Sequence, residues 1–219
     1  MNNQRKAIIL AGGRGTRLYP VTKAISKQLL PLYDKPLIYY SISMLLKANV
    51  TEFLIISSTK HLGMYKDLLG DGSNFGINIS YASQQQPSGI PEAFILGEEF
   101  LENSDCILLL GDNIFYGKDM QAMLEKAYEN YSSASIFIYE VEDSSSFGVA
   151  EIDEISNVIS IEEKPRNPKS SYAVTGIYFY PKDVIQKSKL LKPSKRGELE
   201  ITDINLLYLE EKKLKAFLM

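Results

Sequence analysis

The stretch Gly12-Gly13-Arg14-Gly15-Thr16-Arg17 follows the short apolar run Lys6 to Leu10 after one alanine, Ala11. Glycines tolerate positive φ and close approach, so the backbone N–H groups of such a turn can wrap a phosphate. Arg17 adds a planar, bidentate cation, and Lys23 and Lys27 lie shortly downstream. Two common phosphate motifs are absent. No Gly-Lys-Ser/Thr follows, and Leu18 holds the place of the third glycine in a dinucleotide fingerprint. A plain strand-to-helix turn is the competing reading. The full Gly-Gly-x-Gly-Thr-Arg pattern at a strand's end favours a triphosphate-binding loop.

Three further segments carry charge at the ends of elements. Asp112 follows the apolar run Ile107 to Leu110 through one glycine. A carboxylate there can hold Mg²⁺ between phosphates, because Mg²⁺ takes one or two carboxylates plus substrate oxygens. Alone it would read as a turn or capping Asp. Glu162-Glu163-Lys164-Pro165 ends a strand: the lysine can reach a phosphate, the glutamate can accept from sugar hydroxyls, and an exposed ion pair is the alternative. The stretch Arg196 to Asp203 opens a helix with acidic residues in its first turn, chiefly a structural arrangement. Arg196, just ahead of it, can still meet an anion.

These groups need a scaffold, and the hydrophobic pattern supplies one. Strands are predicted at Lys6 to Leu10, Phe53 to Ser57, Ile77 to Ala82, Cys106 to Leu110 and Ser135 to Val141. Between them fall helices at Pro36 to Ala48, Tyr65 to Leu69, Pro91 to Phe100 and Asp119 to Asn130. That alternation predicts an α/β fold with a largely parallel sheet, whose carboxyl edge binds ligands. Beyond Val141 come strands at Val149 to Ile152, Val158 to Glu162, Tyr172 to Tyr180 and Lys213 to Leu218, with helices at Asp183 to Leu191 and Thr202 to Glu211. One domain of 1–219 is expected, with lobes 1–141 and 142–219.

Composition narrows the chemistry. With 24 basic and 27 acidic residues the net charge is −3, so no global basic field attracts nucleic acid. No apolar run approaches the ~20 residues of a membrane span, and the N-terminus has no secretory core, so cytoplasm is the default. Cys106 and His61 are single. Cys106 reads as a core residue and His61 as a solvated side chain, which leaves Asp, Glu, Lys, Arg and backbone groups to do the chemistry.

Taken in order, Ile8 to Leu18, Ser26 to Pro31, Tyr33 to Pro36, Leu110 to Gly117, Glu162 to Pro165, Tyr172 to Gly176 and Arg196 to Asp203 resemble the sugar nucleotidyltransferase family, most closely its thymidylyl branch. The resemblance runs from Lys6 to the last residue. It implies a Rossmann-like mixed sheet flanked by helices. It also implies in-line attack by glucose 1-phosphate on the α-phosphorus of dTTP, at the head of dTDP-rhamnose synthesis for cell-surface polysaccharide. By the same resemblance Gly12, Gly13, Gly15, Thr16 and Arg17 cradle the triphosphate, Lys27 neutralises it with Gln28 close by, and Gln84 and Gly89 meet the thymine edge. Asp112 binds Mg²⁺. Gly148, Glu163, Lys164 and Val174 line the sugar-phosphate site, with Arg196 as a further phosphate contact.

The sequence departs from the branch at definite places. Gln84 to Ala93 reads Gln-Gln-Gln-Pro-Ser-Gly-Ile-Pro-Glu-Ala where the branch has Gln-Pro-x-x-Asp-Gly-Leu-Ala-Gln-Ala. Phe147 replaces a tyrosine. Met219 is the last residue, ahead of a Trp-Leu-Asp-Thr-Gly segment that supplies the family's second metal ligand, and ahead of C-terminal helices that make oligomer contacts. The expected homo-oligomer is therefore weakened. UTP or another sugar 1-phosphate, a nucleotide-binding homologue without turnover, and a shortened form of a longer enzyme all stay open.

Overall fold

The computed structural model describes residues 5–13, 15–129 and 132–219. Arg14 of the expected phosphate loop, Asn130 at the end of an expected helix, and the N-terminal Met1 to Gln4 lie outside the described residues.

In chain order, strand β1 (Lys6–Leu10) leads to a two-stranded hairpin, β2 (Pro31–Leu32) and β3 (Lys35–Pro36). Helix α1 (Leu37–Lys47), β4 (Glu52–Ser58), α2 (Leu62–Leu69) and β5 (Asn78–Gln84) follow. Then come α3 (Glu92–Leu96), α4 (Glu98–Leu101), β6 (Cys106–Leu110), α5 (Met120–Tyr128) and β7 (Ala134–Glu140). The remainder is β8 (Gly148–Ile152), β9 (Val158–Glu163), β10 (Tyr172–Tyr180), α6 (Val184–Leu190), α7 (Ile201–Glu210) and β11 (Leu214–Leu218).

The main sheet has the order β11-β7-β10-β6-β1-β4-β5, with β8 on β10 and β9 on β8. Strand β1 runs parallel to both β4 and β6, and β5 continues the parallel set beside β4. Strand β10 lies antiparallel between β6 and β7. The fold is thus a mixed, largely parallel sheet flanked by helices, as expected.

Both faces of this sheet are covered, which explains the unbroken apolar runs of β1 and β6. Ala7, Ile9, Ile107 and Leu109 pack on one side with Ile38, Ile42 and Leu45 of α1, Tyr65 of α2 and Leu124 of α5. Ile8, Cys106 and Leu108, one residue out of step, face the other side with Phe94, Val184, Ile204 and Tyr208. Period-two alternation thus feeds two cores from one strand.

Three expectations need correction. Pro91 to Phe100 is not one helix but α3 and α4, divided at Gly97. A Cβ there would lie 2.8 Å from Ile8 Cδ1 and 3.0 Å from the Ala93 carbonyl oxygen, so the chain is tight against β1 where the pattern read through. The acidic first turn of α7 holds only Asp203, because Glu200 sits at the N-cap position and Glu198 in the preceding loop. His61 is half-buried, with Nδ1 3.2 Å from Ser58 Oγ, and burial lowers its pKa, so it is not a freely solvated side chain. The stretch after the glycines, where a strand-to-helix turn is the competing reading, forms short 3-10 turns, Thr16–Leu18, Val21–Lys23 and Lys27–Leu29.

Candidate active site

Parallel alignment of β1, β4, β5 and β6 brings their carboxyl ends to one edge. The chain leaves β1 toward β4 on one side and pairs with β6 on the other, the kind of crevice where α/β sheets hold ligands. A cavity of about 260 Å³ opens there, lined by Gly12, Gly13, Gln28, Gln84, Gly89, Asp112, Glu163, Lys164 and Arg196. Nine expected site residues, from segments spread over the whole chain, thus face one space.

A second cavity adjoins it. Gly15, Thr16, Arg17 and Lys27 line this space and share Gly13, Gln28 and Asp112 with the first. A third, of about 560 Å³, takes Val174 together with Phe147, Tyr178 and again Asp112. Asp112 therefore stands where all three meet. Gly148 lies beside them: a Cβ on it would be 3.3 Å from Thr202 Oγ1, 3.5 Å from Glu163 Oε2 and 3.7 Å from Val174 Cβ. Lys23, in contrast, is exposed in its turn and is not among the residues lining these cavities.

Asp112 is held from two sides. Lys27 Nζ donates to its Oδ2 at 3.0 Å, and Asn113 Nδ2 donates to Oδ1 at 3.1 Å. Asn113 is itself fixed by the Gly176 backbone N–H, which donates to Asn113 Oδ1 at 3.2 Å. Neither Lys27 nor Asp112 is buried, with 34% and 36% of the side chains exposed. Such a pair adds little stability, and both partners stay accessible to a ligand.

The glycine loop rests on a buried polar network. The Ala11 carbonyl accepts from Ser57 Oγ at 2.9 Å and from Tyr65 Oη at 3.4 Å. Ser26 Oγ lies 2.7 Å from Tyr65 Oη and donates to Gln28 Oε1 at 2.8 Å. Burial pushes the Tyr65 phenol up to about 12, so it stays protonated as a donor. Sequence reasoning missed Ser26, Ser57 and Tyr65. The only trace was the polar Ser57 inside an apolar strand. Tyr65→Phe is expected to cost about 0.5–1.5 kcal/mol in urea unfolding. The cost sits at the low end of what buried bonds give, because Ser57 still satisfies the Ala11 carbonyl.

The wall around Glu163 is similarly cross-braced. Thr202 Oγ1 donates to Glu163 Oε2 at 2.6 Å, and Arg196 Nη2 donates to Glu163 Oε1 at 3.0 Å. Arg196 also forks onto Glu200, Nε at 3.2 Å and Nη2 at 2.6 Å, and these bonds raise its pKa. Its guanidinium is occupied in holding the loop before α7, which agrees with the structural part of the expectation. Lys164 sits in a left-handed turn, φ 43°, that aims it off the end of β9. Its Nζ lies 3.4 Å from Glu163 Oε1.

Among the described residues no group of three or more Asp, Glu, His or Cys could cage a metal, and no helix is long and apolar enough to cross a membrane. One carboxylate lining three adjoining cavities suits a cation that takes most of its oxygens from ligand and water.

The profile of the nucleotidyl transferase family matches residues 6–219. A glucose-1-phosphate thymidylyltransferase of Neisseria meningitidis is 52% identical over 211 residues, covering 96% of this chain and 73% of that protein. One from Xanthomonas campestris is 50% identical over 207 residues, covering 94% of this chain and 70% of that protein. Among solved structures, a Bacillus anthracis protein assigned as a glucose-1-phosphate thymidylyltransferase, in complex with sucrose, superposes with a TM-score of 0.91 at 44% identity, covering 98% of this chain and 87% of that one. A UDP-glucose pyrophosphorylase with UDP-glucose gives 0.81 at 27% identity, covering 98% of this chain and 90% of that one.

Proposed function

The chain belongs to the nucleotidyl transferase family, and from that premise we propose that it joins dTTP and glucose 1-phosphate into dTDP-glucose with release of pyrophosphate. The observation that carries the reading is the meeting of three cavities at Asp112, with Arg17 and Lys27 lining one and Lys164 and Arg196 lining another. A two-substrate transfer needs such a place: one ligand on each side and charge neutralisation between them.

In this reading an oxygen of the sugar phosphate forms a bond to the α-phosphorus of dTTP. The bond to the bridging oxygen breaks, and pyrophosphate carries away the electron pair. Backbone N–H groups of Gly12, Gly13, Gly15 and Thr16 hold the triphosphate, with Arg17 and Lys27 spreading its charge and Gln28 beside them. Gln84 and Gly89 meet the thymine edge. Lys164 holds the sugar phosphate, while Glu163, Gly148 and Val174 line the sugar and Arg196 steadies that wall and adds a further phosphate contact. Asp112 would hold Mg²⁺, which when bound supplies positive charge to the phosphates. Lys27 holds the Asp112 carboxylate in place through its 3.0 Å contact.

The same reading sets the chain in the cytoplasm, as two lobes of one domain divided near Val141, supplying activated glucose for dTDP-rhamnose. It also gives a homo-oligomer. Its support is the names of relatives at about half identity and the absence, among the described residues, of any spanning helix.

The test is pyrophosphate release from four nucleotides crossed with a panel of sugar 1-phosphates, with and without Mg²⁺. Release with dTTP and glucose 1-phosphate, dependent on Mg²⁺, is expected. Preference for UTP would move the assignment toward the pyrophosphorylase neighbour. Nucleotide binding without release from any pair would make the chain a non-catalytic homologue.

A further inference from the structure

Thr22 is the buried residue of an exposed segment. Its apolar neighbours Tyr19 and Val21 are 50% and 58% exposed, while Thr22 itself is 4% exposed. Burial ordinarily favours the apolar residue, so the threonine is held inside by what its side chain does. Its Oγ1 donates to the Gly15 carbonyl at 2.7 Å. The Leu18 N–H donates to the same oxygen at 2.9 Å. The Thr22 methyl lies over the glycine: a Cβ on Gly15 would fall 3.0 Å from Thr22 Cγ2.

Gly15 has φ 60°, in the left-handed region, and has no side chain of its own to restrain it. The two bonds therefore set the direction of its carbonyl. In a planar trans peptide the following N–H points the opposite way, so the Thr16 N–H is turned away from Thr22. Gly15, Thr16 and Arg17 line the loop cavity with Lys27, and Thr22 stands behind them outside that lining. The side away from Thr22 is thus the cavity side. The turn that carries Thr22 is anchored in its own right. The Lys23 N–H donates to the Pro20 carbonyl at 3.0 Å, and Lys60 Nζ donates to the Lys23 carbonyl at 2.7 Å.

We propose that Thr22 is a positioning residue for the outer phosphates of the nucleotide. Its hydroxyl fixes the Gly15–Thr16 peptide with the N–H toward the phosphates that leave as pyrophosphate. Gly15, Thr16 and Arg17 line the loop cavity but not the main one, where Gln84 and Gly89 stand. The part of the ligand that meets them is therefore the end remote from the base. The inference rests on the reading that this loop cradles a triphosphate.

Calorimetric binding of dTTP and dTMP, both with Mg²⁺, tests it in wild type, Thr22→Val and Thr22→Ser. Valine keeps the shape and removes the bond, whereas serine keeps the hydroxyl. Wild type should prefer dTTP. In Thr22→Val that preference should fall about three- to tenfold, the range of one net hydrogen bond, through weaker dTTP binding alone. Binding of dTMP, which ends at the α-phosphate, should match wild type. Thr22→Ser should keep the wild-type ratio. Circular dichroism checks folding, and if the valine variant is unfolded Thr22→Ala takes its place. An unchanged ratio, equal weakening of both nucleotides, or a serine variant that falls as far as valine overturns the role of Thr22 alone. Wild type that binds dTTP no more tightly than dTMP, or binds neither, overturns the cradle reading and this inference with it.

Discussion

Asp112→Asn is expected to slow Mg²⁺-dependent pyrophosphate release by about 10²- to 10³-fold, the range seen when one preorganised electrostatic contact to a transition state is lost. The substitution keeps the shape but offers one acceptor oxygen where Lys27 and Asn113 approach two, at 3.0 and 3.1 Å, so one of these contacts is lost together with the charge. Because the Lys27–Asp112 pair is about one-third exposed, its loss should change unfolding stability by less than about 1 kcal/mol. A large kinetic effect with a small stability effect is therefore the signature. Steady-state rates across a Mg²⁺ titration, beside urea unfolding of both proteins, read the two separately. If rate and Mg²⁺ dependence are those of wild type, Asp112 is a turn residue and the metal role is wrong.

The same residue shows which parts of the molecule were legible in sequence. Strands β6 and β10 occupy the ranges expected, because each is a dense apolar or aromatic run with clear breakers at its ends. Local pattern also marked Asp112 as sitting at a strand's carboxyl end. Its partner was not legible from pattern: Lys27 is 85 positions away, and only the β1–β6 pairing brings the two together. The position of β10 was hidden for a similar reason. Nothing local says that a strand from the second half runs antiparallel between β6 and β7. Gly97 looked like a tolerable helix residue until β1 packed against it. In the sequence Tyr65 reads only as the start of a short helix, and its ring is fully buried. That its hydroxyl supports Ala11 depends on contacts 54 residues apart. Arg196 was marked as a possible anion contact, yet its fork onto Glu200 is a local i,i+4 pair that spacing alone made available.

Gly89→Ala should be the most disruptive single-methyl change near the site. Gly89 has φ +111°, a conformation that L side chains rarely adopt, and that alone costs about 1–3 kcal/mol. Space is the larger obstacle. An added Cβ would fall 2.1 Å from the Leu199 carbonyl oxygen and 2.6 Å from its nitrogen, both of them backbone atoms that cannot rotate away. Those atoms belong to the bridge between Gly89 and Leu199, where the Leu199 N–H donates to the Ser88 carbonyl at 2.8 Å. The bridge ties the loop after β5, which ends at Gln84, to the loop before α7, which carries Arg196 and Glu200. Pushing it apart displaces both walls of the main cavity together, and a shift of about 1 Å in such a site costs about 10²-fold. The expected result is a rise in KM for nucleotide and sugar phosphate alike, by tenfold or more, with a loss of kcat. A mutation confined to one substrate's wall would raise one KM only. Initial-rate measurements varying each substrate in turn distinguish these cases, and KM values within twofold of wild type for both substrates would show that the two loops do not act as one unit.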